Sequence, residues 1–270
     1  MGENGNKSLN YHLEQVRDAV VPFEDAFQSV ARMVLDNKDL IEKVTVQGKI
    51  TYDFKIFRQG KKHVIGMFDE INSFVSYVKD AAQGGSSREM AFVLVGEPGN
   101  GKTFFVDFLC ALYRKFIAEE GNRRYTFNFK GLDRLGTYGK IQTIPSQTFE
   151  DPMILMMNFF ESQEDSKAYL SQQIGFSDDQ IDRMFESYRP LGACSDYILN
   201  NIRNHTNGHL EEMMDFFEVV PVPLSESMGT VTGKYSAKDK ITSSAVDLLG
   251  EESIQRLLHI SDPNNPYRLD

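Results

Sequence analysis

The sequence predicts an α/β fold, a parallel sheet flanked by helices, with an N-terminal helical segment ahead of it. Three adjacent features predict it: the apolar run "MAFVLV" at residues 90–95, the glycine-rich loop "GEPGNGKT" at 96–103, and the amphipathic stretch "KTFFVDFLCALYRKFIAEEG" closed by Gly121. A compact apolar run suits a strand buried on both faces, and "RRYTFNFKG" after the helix supplies the next strand. Strand, loop, helix and strand make a βαβ unit, whose parallel sheet places ligands at the carboxyl ends of its strands.

The elements follow in order. From Tyr11 to Asn37, Leu13, Val16, Val20, Phe23, Phe27, Val30 and Val34 fall at helical spacings, and Pro22 breaks the run, so two helices or one broken helix are expected. "KVTVQGKITYDFKIF" alternates apolar and polar residues and predicts a small hairpin that turns at Gly48 and Lys49. "DEINSFVSYVKDAAQG" carries Ile71, Phe74, Val75 and Val78 on one face and ends at Gly84 and Gly85, as a helix does. Beyond Thr137 the signals weaken. "DPMILMMNFFESQ" and "SDDQIDRMFESYRP" read as helix, "HLEEMMDFFEVVPVPLSE" as a helix running into a strand, and "SAVDLLGEESIQRLLHI" as a last helical piece before the turn-rich tail "SDPNNPYRLD". We divide the chain into an extension of helices and hairpin at residues 1–60 and a nucleotide-binding domain at 61–270.

The chain has 270 residues and is 41% hydrophobic, enough to build a core. Its 29 Lys and Arg against 39 Asp and Glu give a formal charge of -10, which argues against a surface made to coat nucleic acid or anionic lipid. Cys110 and Cys194 lack the paired spacing of a zinc site, and a reducing cytosol is the simplest compartment for them. The N-terminus "MGENGNKSLN" is polar, and no run of about 18 apolar residues appears, so a soluble cytoplasmic protein is expected.

The loop matches GxxxxGK[ST] at Gly96, Gly101, Lys102 and Thr103, with Glu97, Pro98, Gly99 and Asn100 between. Phosphate oxygens need several donors at close range, and the small residues Gly96, Gly99 and Gly101 let backbone N–H groups converge on them. The helix that begins here aims its N-terminus at the same anion, Lys102 brings a mobile positive charge to the outer phosphates, and the Thr103 hydroxyl is suited to ligating Mg²⁺. The apolar strand before and the amphipathic helix after are the context in which the motif binds a nucleoside triphosphate rather than forming a surface turn. Val64, Ile65 and Gly66, about thirty residues upstream, either form an apolar edge against the purine or pack in the core.

Four segments in this order, "VIGMFDEINSFVSYVKDAAQG", "FVLVGEPGNGKT", "TFEDPMILM" and "VPLSESMGTVTGKYSAKDK", resemble the AAA domain of the PrkA serine protein kinase family. The resemblance covers roughly residues 60 to 270. It implies an AAA+ P-loop NTPase, ATP with Mg²⁺ as the ligand, a role for Ile65 and Gly66 at the adenine, a ring-forming homo-oligomer, a protein substrate, and a link to serine phosphorylation in stress responses. The family often reads "GPVGSGKS" where this chain has Glu97, Pro98, Asn100 and Thr103, ordinary variants of the loop. The last segment keeps Gly229, Thr230, Lys238 and Asp239 but otherwise diverges, and no role is carried onto it.

Hydrolysis calls for an Asp–Glu pair at the end of a second strand. No such pair follows four apolar residues after the loop, and Glu161, Asp215 and Glu218 stand in helical-period surroundings. By the resemblance the acidic strand follows the segment where the chain stops, so Asp270 is expected to end a fragment that binds nucleotide better than it turns it over. Protein-kinase signatures are absent. His205 and His209 stand four apart without a third ligand, and Ser195 with Cys194 lacks a nucleophile elbow and a placed base. The rival reading is an AAA+ ATPase that remodels or helps degrade proteins without kinase activity; a third is a nucleotide-sensing scaffold.

Overall fold

The computed structural model describes residues 8–60, 63–224 and Asn265. In chain order the elements are α1 (Leu9–Arg17), α2 (Ala26–Leu35), β1 (Ile41–Val46), β2 (Lys49–Phe54), α3 (Phe68–Ala82), α4 (Lys102–Ala118), β3 (Tyr125–Lys130), β4 (Thr143–Pro145), α5 (Pro152–Met157), α6 (Gln163–Tyr169), α7 (Asp178–Phe185), α8 (Ala193–His205), α9 (Leu210–Met214) and β5 (Phe217–Pro221). They form two compact units, one of Glu24–Asn122 and one of Met1–Phe23 with Arg123–Asp270. The chain thus divides after Phe23 and after Asn122, where the sequence reading had placed a boundary at residue 60.

In the unit Glu24–Asn122, α2 begins at a capping box in which Asp25 accepts from the Gln28 N–H and the Gln28 side chain accepts from the Asp25 N–H, both at 2.9 Å. Asp25 also pairs with Arg88, which fixes the turn ahead of the glycine loop. Gln47 and Gly48 take positive φ values of 50° and 80°, the geometry of a two-residue hairpin turn, and they join β1 to β2 one residue earlier than the sequence suggested. Asn72 of α3 docks this hairpin, accepting from the Tyr52 N–H at 3.2 Å and donating to the Tyr52 carbonyl at 2.7 Å. Ile71, Phe74, Val75 and Val78 are buried on one face of α3, as their spacing predicted, against Phe57, Val64 and Phe105. Helix α4 stops at Ala118, short of Gly121, because Glu119 turns extended.

Residues 90–95 run without regular pairing. Phe92 and Leu94 pack on the core, while Val93 and Val95 are 70% and 89% exposed. The backbone of residues 91–95 makes no hydrogen bond among the described residues, and the segment is held at its ends by Tyr77 donating to the Met90 carbonyl at 2.7 Å and by Lys102 donating to the Gly96 carbonyl at 2.8 Å.

The other unit is built on a three-stranded sheet of order β4-β3-β5, antiparallel throughout. The sequence expected β3 to lie parallel to residues 90–95; instead both edges of β3 are taken, by β4 and by β5. The reason is aromatic. Phe129 and Phe159 stand 5.6 Å and 5.5 Å from Phe217, so the β3 face closes over partners supplied much later in the chain. Every residue of α5 is buried. Around it pack Leu9 and Leu13 of α1, Ile181 and Met184 of α7, and Ile198, Leu199 and Ile202 of α8. Tyr169 donates to Asn10 at 2.8 Å and Gln180 donates to the Arg17 carbonyl at 3.1 Å, tying α1 to this unit.

Helices α6 and α8 were not read from the sequence, whereas α1, α2, α3, α5, α7, α9 and β5 lie in the segments read as helix or strand. The segments "SMGTVTGKYSAKDK" and "SAVDLLGEESIQRLLHI" lie outside the described residues, as does the tail apart from Asn265. Among the described residues no helix is long and apolar enough to cross a membrane.

Asp151 caps α5, accepting from the Met153 N–H at 2.8 Å. Desolvation pushes its carboxyl up to about 6, against the opposing pull of Arg124, of that N–H and of Arg189. A folded-state value above the unfolded one means stability that is fully present at low pH and lost as pH rises through about 6. The Asp151→Asn variant keeps a capping oxygen and removes the charge. Its stability difference from the parent should therefore grow between about pH 4 and pH 7, by up to about 3 kcal/mol in favour of Asn. Denaturant titrations across that range check this, and a constant difference would contradict it.

Candidate functional site

The glycine loop joins residues 90–95 to α4 through two glycines in left-handed backbone, Gly99 at φ 90° and Gly101 at φ 76°. Gly101 is the residue ahead of the first turn of α4, and no side chain caps that turn. The Phe105 N–H bonds the Gly101 carbonyl at 2.8 Å, which leaves the N–H groups of Lys102, Thr103 and Phe104 without helical partners. Helix termini of this kind attract anions through both the free donors and the helix dipole.

Lys102 folds back over the loop. Its ammonium donates to the carbonyls of Gly96 at 2.8 Å and Glu97 at 2.7 Å. Those two carbonyls are thereby held on a cation, and a third ammonium proton is left for another acceptor. Gly96, Pro98, Gly99, Gly101, Lys102 and Thr103 line an open cavity of about 600 Å³, and the Thr103 side chain is exposed. A Cβ at Gly96 would lie 3.7 Å from both the Lys102 ammonium and the Asn100 amide nitrogen, an ordinary contact distance. The Asn100 N–H closes the turn on the Glu97 carbonyl at 3.4 Å.

The upstream segment approaches the same loop. The Met67 sulfur lies 3.7 Å from where a Cβ on Gly101 would stand. Val64 is buried and donates its N–H to the Phe57 carbonyl at 3.0 Å, so for this residue the core reading holds. Ile65 is 79% exposed and Gly66 sits at φ 86° with open space around its Cα. Sequence reasoning missed Met67, although it follows directly on the residues singled out; a methionine after a glycine carries no signal of its own until the fold brings it to the loop.

The acidic candidates fall elsewhere. Glu161 is exposed between α5 and α6, Asp215 follows the last turn of α9, and Glu218 lies in β5 within 3.4 Å of the Asn128 amide; all three belong to the other unit. His205 ends α8 with its ring against Phe216, and His209 precedes α9. No cluster of three metal-ligating side chains occurs among the described residues. Ser195 is buried in the first turn of α8 and donates to Glu150, which also accepts from Ser146 at 2.9 Å and from the Gly192 N–H at 2.6 Å. Ser195 and Ser146 therefore anchor the α8 terminus to the loop after β4.

Comparison with known protein families, with curated proteins and with solved structures finds no match.

Replacing Gly101 by Ala puts a Cβ on left-handed backbone and brings it against Met67, at a cost of about 1 kcal/mol or more. We expect the Phe105 amide, which closes on the Gly101 carbonyl, to exchange with solvent several-fold faster in this variant. Unchanged exchange would mean that the turn does not depend on its glycine.

Proposed function

We propose that the chain binds a nucleoside triphosphate with Mg²⁺ at the loop of residues 96–103, as the ATP-binding module of an AAA+ P-loop ATPase similar to the PrkA serine protein kinases. The observation that carries this reading is the uncapped N-terminus of α4 facing the cavity, with Lys102 braced on the carbonyls of Gly96 and Glu97 and Thr103 exposed beside it. The donor set suits a polyphosphate: backbone N–H groups for the inner oxygens, the Lys102 ammonium for the outer ones, and a hydroxyl for a hard divalent cation. Ile65 and Gly66 are assigned to the purine, because Ile65 is a large apolar side chain left in solvent two residues before Met67, whose sulfur reaches the loop.

In this reading ATP, when bound with Mg²⁺, supplies a charged group whose transfer or release changes the protein. Lys102 and the α4 terminus neutralise and orient the phosphates, and Gly96, Gly99 and Gly101 keep the backbone close to them. A ring-forming homo-oligomer, a protein substrate and a cytoplasmic place follow from the family resemblance. So does the link to serine phosphorylation. The second reading, an ATPase that remodels or helps degrade proteins with no kinase activity, uses the same site and differs only in what the nucleotide drives.

Titrating the chain with fluorescent ATP and GTP in the presence of Mg²⁺ tests the assignment. ATP should bind more tightly than GTP, and Lys102→Ala should weaken binding about 10- to 100-fold, the loss of one or two charge-assisted hydrogen bonds. Phosphate release should be slow. Brisk release would place an acidic pair within the chain, and no binding by either protein would reduce the loop to a turn.

A further inference from the structure

The hairpin of β1 and β2 carries a surface that the nucleotide site does not use. In an antiparallel pair, residues whose backbone groups face the partner alternate with residues whose groups face outward. Tyr52 faces outward, since its N–H and carbonyl are both taken by Asn72. Lys43 is its direct partner across the hairpin and Thr45 stands two further along, opposite Ile50. The N–H and carbonyl groups of Lys43 and Thr45 therefore point away from β2, along an outer edge that no described residue covers.

The side chains add a second observation. Ile50 and Tyr52 are 66% and 49% exposed on one face of the hairpin, directly across from Thr45 and Lys43. The two acids of these strands are already neutralised, Glu42 by Lys55 at 3.0 Å and Asp53 by Arg58 at 3.2 Å. Lys43 and Lys49 are left as the uncompensated charges of the pair, on a chain whose formal charge is -10. An edge lysine commonly keeps other strands away. Here it stands beside an exposed isoleucine and tyrosine, which protection of an edge does not require.

We propose that the outer edge of β1 binds an extended acidic peptide segment of a partner protein, which adds as a strand along Lys43 and Thr45. The main-chain groups of these two residues supply the hydrogen bonds, as in other cases of strand addition. Lys43, the charge on the edge strand itself, selects for Asp or Glu at the peptide position facing it. Two positions along on that same face, a branched or aromatic side chain of the peptide lies over Thr45 toward Ile50. Basic segments are repelled, which gives the edge its choice of partner.

Selection of short random peptides from a display library on the purified chain tests this. Peptides that carry Asp or Glu two positions from a branched or aromatic residue should be enriched. Thr45→Pro removes an outward N–H at an edge position that tolerates proline. It should weaken the selected peptides about tenfold or more, with the thermal midpoint nearly unchanged. Lys43→Glu should do the same while leaving basic peptides better bound than before. No enrichment, enrichment without acidic bias, or affinities that neither variant alters would overturn the proposal. Self-association of the chain that Thr45→Pro abolishes would also overturn it, by giving the edge to a second copy.

Discussion

The start of α4, where the glycine loop ends, is anchored by one buried ring. Phe105 stacks on Phe57 at 5.7 Å and meets Phe74 edge-on at 5.5 Å, and its own N–H closes the first helical bond onto Gly101. One residue thus fixes both where α4 begins and how that end is held to α3. Large aromatic side chains bury much apolar area with few rotatable bonds, which suits them to such an anchor. With the helix fixed, the loop needs no packing of its own. It needs two left-handed glycines to turn, and an ammonium to hold its first carbonyls back. Removing the anchor would free the N-terminus of α4 while leaving every loop residue present, so the motif alone does not make the site.

The second unit solves a comparable problem with a carboxylate. Helix α5 is too short to be stable by itself and is buried on all sides, so its first N–H groups need partners away from water. Asp151 meets that need as the cap, and Glu150 beside it gathers Ser146, Gly192 and Ser195, so that neighbouring acids secure the starts of two helices. The same segment, "TFEDPMILM", contributed to the resemblance read from the sequence. In this structure its residues have structural work that explains their presence without any catalytic role.

Much of the fold was legible where pattern and punctuation agree. The periodic apolar residues of α3 and the break at Pro22 act locally, so the sequence near them suffices. Helix α8 was missed because its buried stripe of Ser195, Ile198, Leu199 and Ile202 is interleaved with asparagines, whose side chains favour turns. The direction of β3 was misjudged for a different reason. Strand pairing is a long-range choice, and Phe217, which decides it, lies some ninety residues on in a segment with helical-period neighbours. At the site, the loop residues were legible as a motif between an apolar run and a helix. The placement of Met67 and the carbonyl partners of Lys102 were not, since both depend on how α3 and α4 pack.

Two stretches of backbone in the unit Glu24–Asn122 lack partners among the described residues, and their compositions differ. Residues 91–95 carry no charge and no proline, their large exposed side chains are Val93 and Val95, and among the described residues their N–H and carbonyl groups have no partner on either side. A permanent outer strand of that composition would pair indiscriminately, because nothing on it repels another chain. Such a segment is consistent with the inside of a sheet, flanked on both sides. The edge of β1 is open on one side only and bears Lys43, a charge that a selective surface keeps and a buried strand would not tolerate unpaired. Composition thus separates a segment suited to being covered from an edge strand suited to discriminating among partners.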